Sequence, residues 1–281
     1  MIINKNIIIK GTHHKPILTD VFYNDNQVKK PIIIFAHGYK GYKDWGAWNL
    51  VAQKCAENNL FFIKFNFSHN GGTVEQPIDF PDLEAFGHNN FIIELDDLKS
   101  VIDWVEKEPS FKNEVNLEDI TLIGHSRGGG IITIKAQEDN RVKRIVTWAS
   151  VSDYGSRFPK GKVLKTWRQN GVSYIENSRT KQQMPHYFQF YQNFIDNKER
   201  LNIKRAVQNL KKPHLIIHGQ ADETVNPNEA QNIHSWNSKS ELYLVKNANH
   251  TFGSKHPWDS RELPNELRDA TQKTIAFIKA L

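Results

Sequence analysis

The chain has 281 residues, 38% of them hydrophobic and 24% charged, the balance of a soluble globular protein of one large domain or two small ones. No run approaches the roughly 18 consecutive apolar residues of a membrane span, residues 1–10 lack the apolar core of a signal peptide, and the single cysteine, Cys55, excludes an internal disulfide framework and any Cys-rich metal site, so a cytoplasmic location is expected. The formal net charge of +6, with a pI near 9.2, would suit a nucleic-acid or anionic-surface partner, which makes the placement of that charge along the chain informative.

Strand-like and helix-like runs alternate for most of the length, the pattern of a mostly parallel sheet covered by helices. Residues 31–36 form a short apolar run ending in His37-Gly38 and read as a buried strand. Residues 47–58 place Trp48, Val51, Ala52 and Cys55 on one helical face, and 61–67 predict the next strand. The polar, Gly- and Pro-containing stretch 68–89 is expected to be a loop over the strand ends. From Asn90 onward, Phe91, Leu95, Leu98, Ile102 and Val105 recur at spacings of four and three, which predicts a helix. Strands are then expected over 120–123, 144–149, 214–218 and 241–245, with helices over 129–137, 228–236 and 267–281.

This alternation is interrupted between 151 and 212. The interruption is dense in aromatic residues, and Asn170-Gly171 between 165–169 and 172–176 predicts a hairpin with a type I′ turn. No internal repeat or low-complexity tract is present. The expected architecture is an α/β core from residues 1–150 and 213–281, with 151–212 inserted as a cap.

Gly124-His125-Ser126-Arg127-Gly128 is a G-x-S-x-G motif that directly follows an apolar strand and directly precedes a helical segment, the context of a nucleophile elbow. A serine at its free pKa is a poor nucleophile and needs a base oriented by an acid. Asp222 lies just past the strand at 214–218 and His250 in the loop after 241–245, both at carboxyl ends of strands and in the order Ser, Asp, His. Glu223 and His256 compete for the acid and base positions but sit further from the strand ends. The backbone N–H groups of Tyr39 and Arg127 are the expected oxyanion donors, with Gly38 allowing the turn after 31–36 and His37 bracing that loop by hydrogen bonding. Gly124 and Gly128 keep the elbow free of Cβ clashes.

Taken together, His37-Gly38-Tyr39, the Gly124–Gly128 motif, Asp222 and His250 resemble the α/β-hydrolase superfamily. Within it, the short His-Gly-aromatic loop and the inserted segment are similar to small bacterial carboxylesterases of the cinnamoyl/feruloyl-esterase type, related to dienelactone hydrolases and serine aminopeptidases. Arg127 departs from many relatives, which carry a smaller or uncharged residue there. The resemblance implies a serine hydrolase cleaving short-chain or aromatic, cinnamoyl-like esters through an acyl-enzyme. It implies a small-molecule ester as the partner, without nucleic acid, and leaves room for a homodimer. The twelve histidines show no metal-ligand spacing, so neither cofactor nor catalytic metal is expected. Trp167, Tyr174 and Tyr187 are the aromatic residues expected to line a substrate pocket. A serine aminopeptidase acting on small peptides is the enzymatic alternative, and a non-catalytic binding protein on the same fold is the alternative of another class.

The charge resolves into two opposed segments. Residues 151–212 carry 13 Lys/Arg against 4 Asp/Glu, while residues 75–119 carry 3 against 13. The basic balance thus belongs to the inserted segment, where it bears on substrate access more than on nucleic acid. Simple solvation, or pairing with the acidic stretch, is the competing expectation.

Overall fold

The computed structural model describes residues 1–280. Its strands are β1 (Ile2–Lys10), β2 (Pro16–Tyr23), β3 (Lys30–Ala36), β4 (Phe61–Phe65), β5 (Val115–His125), β6 (Val142–Trp148), β7 (Val172–Glu176), β8 (Gln183–Tyr187), β9 (His214–Gly219) and β10 (Glu241–Val245). Its helices are α1 (Trp48–Glu57), α2 (Leu83–His88), α3 (Phe91–Lys107), α4 (Arg127–Glu138), α5 (Gly161–Asn170), α6 (Gln189–Asp196), α7 (Ile203–Asn209), α8 (Asn228–Trp236) and α9 (Asn265–Lys279). One sheet runs in the order β1-β2-β4-β3-β5-β6-β9-β10, antiparallel at β1-β2-β4 and parallel from β4 onward.

Both faces of the parallel part are covered, which is why its strands read as unbroken apolar runs rather than alternating ones. Ile32, Ile34, Leu122, Ile145 and Ile216 pack on the side of α3, α4, α7 and α8. Their neighbours Ile33, Phe35, Ile123, Val146 and Ile217 pack on the other side against α1 and α9. The two layers therefore interleave along each strand with the period of two that the pleat imposes. The 68–89 stretch is not wholly loop, since it contains α2, started by Asp82, whose side chain accepts from the Ala85 N–H at 2.9 Å. The last predicted helix is observed as α9, while Leu281 lies outside the described residues.

The hairpin is displaced from its expected position. Residues 161–170 form α5, in which Val163, Leu164 and Trp167 follow helical spacing, and Gly171 takes the left-handed conformation (φ 72°) that ends the helix. Asn170-Gly171 is thus a helix terminus, not a hairpin turn. Strand β7 pairs instead with β8, Val172 opposite Tyr187 and Glu176 opposite Gln183. Beyond it, β8 packs on α2 and α6 on α3, and α7 is already back among the body helices, packed on α4 and α8.

A buried charge cluster joins β2, β4 and the loop after β3. Lys43 and Lys64 both reach Asp20 on β2, at 2.9 and 2.6 Å, and both reach Asp44, at 2.5 and 2.7 Å. Lys43, Lys64 and Asp20 are all fully buried. Two cations facing two anions satisfy one another, but removing one anion leaves buried positive charge uncompensated. Replacement of Asp20 by Ala is therefore expected to cost about 3–5 kcal/mol of unfolding free energy, read as a lowered urea midpoint at constant slope.

Candidate active site

The strand β5 ends at His125 and α4 begins at Arg127, leaving Ser126 alone between them with φ 56° and ψ −122°. A non-glycine residue held at positive φ is strained, and here the flanking glycines are what permit it. A Cβ on Gly124 would meet the Gly128 carbonyl oxygen at 2.4 Å, and one on Gly128 would meet the carbonyl oxygens of Ala36 and His37 at 2.5 Å each. A Cβ on Gly38 would come within 2.9 Å of Ser126 Cβ. The loop after β3 thus lies directly against the serine.

That loop is fixed by His37. Its Nδ1 lies 2.9 Å from the Gly38 carbonyl, and its Nε2 accepts from the Phe67 N–H at 3.3 Å, so the ring is neutral with the proton on Nδ1. Burial pushes its pKa down to about 4. Beneath the loop, Lys43 N–H donates to Asn66 Oδ1 at 2.6 Å, tying it to the buried charge cluster. Among the described residues, the backbone N–H groups of Tyr39 and Arg127 have no acceptor; the latter opens α4, where the first amides have no intrahelical partner.

Asp222 follows β9, and its carboxylate is fully engaged. Oδ1 accepts from the Thr224 and Val225 amides at 2.8 and 2.9 Å, while Oδ2 lies 2.8 Å from His250 Nδ1 and 3.2 Å from His218 Nε2. Burial alone would raise its pKa, but the hydrogen bonds from His218 and His250 hold the carboxyl well below the usual range. The His250 loop is anchored twice, by Ala221 N–H to the Ala248 carbonyl at 2.9 Å and by His125 Nε2 to the His250 carbonyl at 2.8 Å. Among the described residues, no hydrogen bond within 3.5 Å joins Ser126 Oγ to His250. Of the competitors, His256 is engaged elsewhere, accepting from the Gly46 N–H at 3.0 Å, and Glu223 is exposed.

A cavity of about 580 Å³ opens over Ser126, walled largely by Phe91, Phe158, Trp167, Ile175 and Phe190, with Tyr39, Arg127, Arg157 and His186 among its polar members. Trp167 lines it and is fixed by an Nε1–H bond to the His186 carbonyl at 2.7 Å. Tyr174 and Tyr187, expected there, do not line it. Alternation along β7 turns Ser173 and Ile175 to the cavity and leaves Tyr174 exposed. On β8 the same parity turns His186 in and Tyr187 out, where its hydroxyl donates to Glu84 and its ring lies over Gly87.

Arg127 is the unusual member. Its guanidinium carbon lies 5.2, 5.7 and 5.8 Å from the ring centres of Tyr39, Phe91 and Phe190, and Nη2 pairs with Glu94, buried on α3. Burial raises the Glu94 carboxyl, against the pull of Arg127. The His186 ring, pushed down to about 4 by burial with Arg127 adding to the effect, takes a hydrogen bond from the Tyr39 hydroxyl at 2.8 Å.

The family model described as BD-FAE matches residues 19–237. The chain belongs to the BD-FAE family of esterases. That match holds Ser126 and Asp222 and stops short of β10 and His250. Among solved structures, the chain is similar to Est1E from Butyrivibrio proteoclasticus with bound ferulic acid, at 16% identity over 98% of this chain and 100% of that one, TM-score 0.71. It is similar also to the esterase domain of a Rhodothermus marinus protein, at 16% identity over 100% and 99%, TM-score 0.66. A curated relative, an uncharacterized 31.7 kDa Escherichia coli protein from the traX-finO intergenic region, is 28% identical over 152 residues, 52% of this chain. That match spans 44% of the relative's own length.

His218, His125, His186 and Glu94 also belong to the site. His218, which closes the apolar run Leu215-Ile216-Ile217 of β9 four positions before Asp222, carries a visible signal. The others acquire their contacts only in the folded chain.

Two outcomes test this geometry. Gly128→Ala, forced against two backbone carbonyls, is expected to lose about 1–3 kcal/mol or more of stability, measured by urea unfolding. Burial lowers the pKa values of His37 and His186 to about 4 and that of His125 to about 3. The unfolded chain therefore binds more protons than the folded one below pH about 6.5, and stability must fall as pH drops from 6.5 toward 4, by up to about 1.4 kcal/mol per pH unit per ring. Thermal unfolding across that window should show a falling Tm, with a shallower slope in His125→Gln.

Proposed function

We propose that this esterase-family chain hydrolyses carboxylic esters by acyl transfer through Ser126, with short-chain or aromatic, cinnamoyl-like esters as substrates. The observation that carries this reading is the Asp222–His250 hydrogen bond at 2.8 Å, at the same sheet edge as a strained serine that faces a largely apolar cavity. In the reaction, His250 Nε2 takes the proton of Ser126 Oγ as that oxygen attacks the ester carbonyl. Asp222 holds the proton of His250 on Nδ1, leaving Nε2 as the base, and stabilises the imidazolium that forms. The Tyr39 and Arg127 amides receive the developing oxyanion. His250 then returns the proton to the departing alcohol, and water repeats the sequence on the acyl-enzyme. The serine hydroxyl and histidine tighten toward one another on substrate binding, as catalytic hydrogen bonds commonly do.

The cavity lining also weighs against the aminopeptidase alternative. An aminopeptidase must hold a cationic substrate amine, and no Asp or Glu lines the cavity among the described residues. A fluorophosphonate probe should label the wild-type protein and leave Ser126→Ala unlabelled; equal labelling of both would sink the assignment. On p-nitrophenyl esters, Asp222→Asn should reduce kcat about ten-thousand-fold with little change in KM. Faster turnover of aminoacyl p-nitroanilides than of the esters would favour peptidase activity instead.

A further inference from the structure

We propose that the Arg127 side chain selects esters that carry a carboxylate, holding that group in the cavity beside Ser126. This rests on the esterase reading above and deepens it to a substrate class.

Three observations lead there. A guanidinium presents five N–H donors on two edges. Among the described residues, the Arg127 side chain makes one hydrogen bond, through Nη2 to Glu94 Oε1, and that oxygen is shared with Asn89 Nδ2 at 2.8 Å. The guanidinium lies among three aromatic rings, and Arg127 is one of the residues lining the cavity that holds Ser126. The remaining wall is largely apolar, so a charged donor there acts at low dielectric, where a charge-assisted bond is strongest.

The second observation is the sign of the lining. It includes Arg127 and Arg157 and, among the described residues, no Asp or Glu. Glu94, fully buried, pairs with Arg127, and Glu229 pairs with Arg157, neither carboxylate being among the lining residues. An anion entering the cavity thus meets cations first. The third is what the Glu94–Arg127 pair leaves open. Arg127 is half-buried, its side chain 15% exposed, and its unfilled charged donors gain by meeting an acceptor. Glu94 Oε2 likewise has no partner, so the Glu94–Arg127 pair is a single contact and not the two-pronged fork that would consume the guanidinium.

The carboxylate can reside on the acyl or the alcohol side of the ester, and two matched pairs separate these. Mono-p-nitrophenyl adipate against p-nitrophenyl hexanoate places the charge on the acyl chain; 4-acetoxybenzoate against phenyl acetate places it on the alcohol. For the wild-type enzyme, kcat/KM should favour the anionic member of one pair by about tenfold or more, as a charge-assisted hydrogen bond warrants. That ratio should collapse toward one in Arg127→Gln and be partly kept in Arg127→Lys. It should rise in Glu94→Gln, where the competing carboxylate is gone, an effect that a purely structural pair would not produce. A wild-type ratio at or below one for both pairs overturns the inference, as does a ratio unmoved by Arg127→Gln and Glu94→Gln together. In either case the wild-type protein still turns over the neutral esters and the esterase reading stands. Failure to hydrolyse any of the four esters would instead remove the esterase reading and this inference with it.

Discussion

The close crossing of backbones at the carboxyl edge of the sheet governs the rest of the site. With no side chain on Gly128, the first turn of α4 rests on the carbonyls of Ala36 and His37. That contact fixes the distance between two loops from strands paired in register, Ala36 opposite Gly124. Because the loops cannot separate, the strained backbone of Ser126 is held rather than relaxed, and Gly38 must come up against its Cβ. Positive-φ strain of this kind persists only where surrounding structure over-determines it. Here the determination comes from main chain on both sides, which substitutions elsewhere leave in place.

Around this crossing the protein spends buried charge in two places with different logic. Beneath the β3 loop, Asp20, Lys43, Asp44 and Lys64 form a closed set in which each cation has two anions and each anion two cations. Such a set orders a loop without reaching the cavity. Beside the cavity, Glu94 and Arg127 form an open set, one contact with donors left over. A closed set is architecture and an open one is available to a ligand, since only the open set gains by meeting a further partner.

Much of this was readable in the sequence. The parallel strands announce themselves because two-sided burial makes them apolar throughout, and once β5, β9 and β10 are located, Ser126, Asp222 and His250 must fall at their carboxyl ends. The two aromatic residues misplaced in the pocket, Tyr174 and Tyr187, fail for one reason. Which face of a strand a residue takes depends on pairing, and the pairing of β7 with β8 was hidden by Asn170-Gly171, a dipeptide that ends helices as readily as it turns hairpins. The β1-β2 pair was obscured differently. Asp20 is fully buried yet charged, so β2 lacks the apolar signature of a strand, and only the lysines brought from residues 43 and 64 explain how it can be inside. The contact of Glu94 with Arg127 and that of His125 with the His250 carbonyl join residues too distant in sequence for any local pattern to reveal.

The anchoring of the His250 loop sets an order of events during synthesis. The bond from His125 to the His250 carbonyl joins residues 125 apart in sequence, and contacts of such separation form late, after the entropy of closing the intervening chain has been met. A nascent chain emerges N-terminus first at about 5–20 residues per second. The strand and helix that flank Ser126 are therefore available for roughly 6–25 s before the histidine loop leaves the ribosome. Through that interval the turn at Ser126 is already packed against Gly38 and the start of α4, and the His250 loop joins it only when β10 has paired with β9.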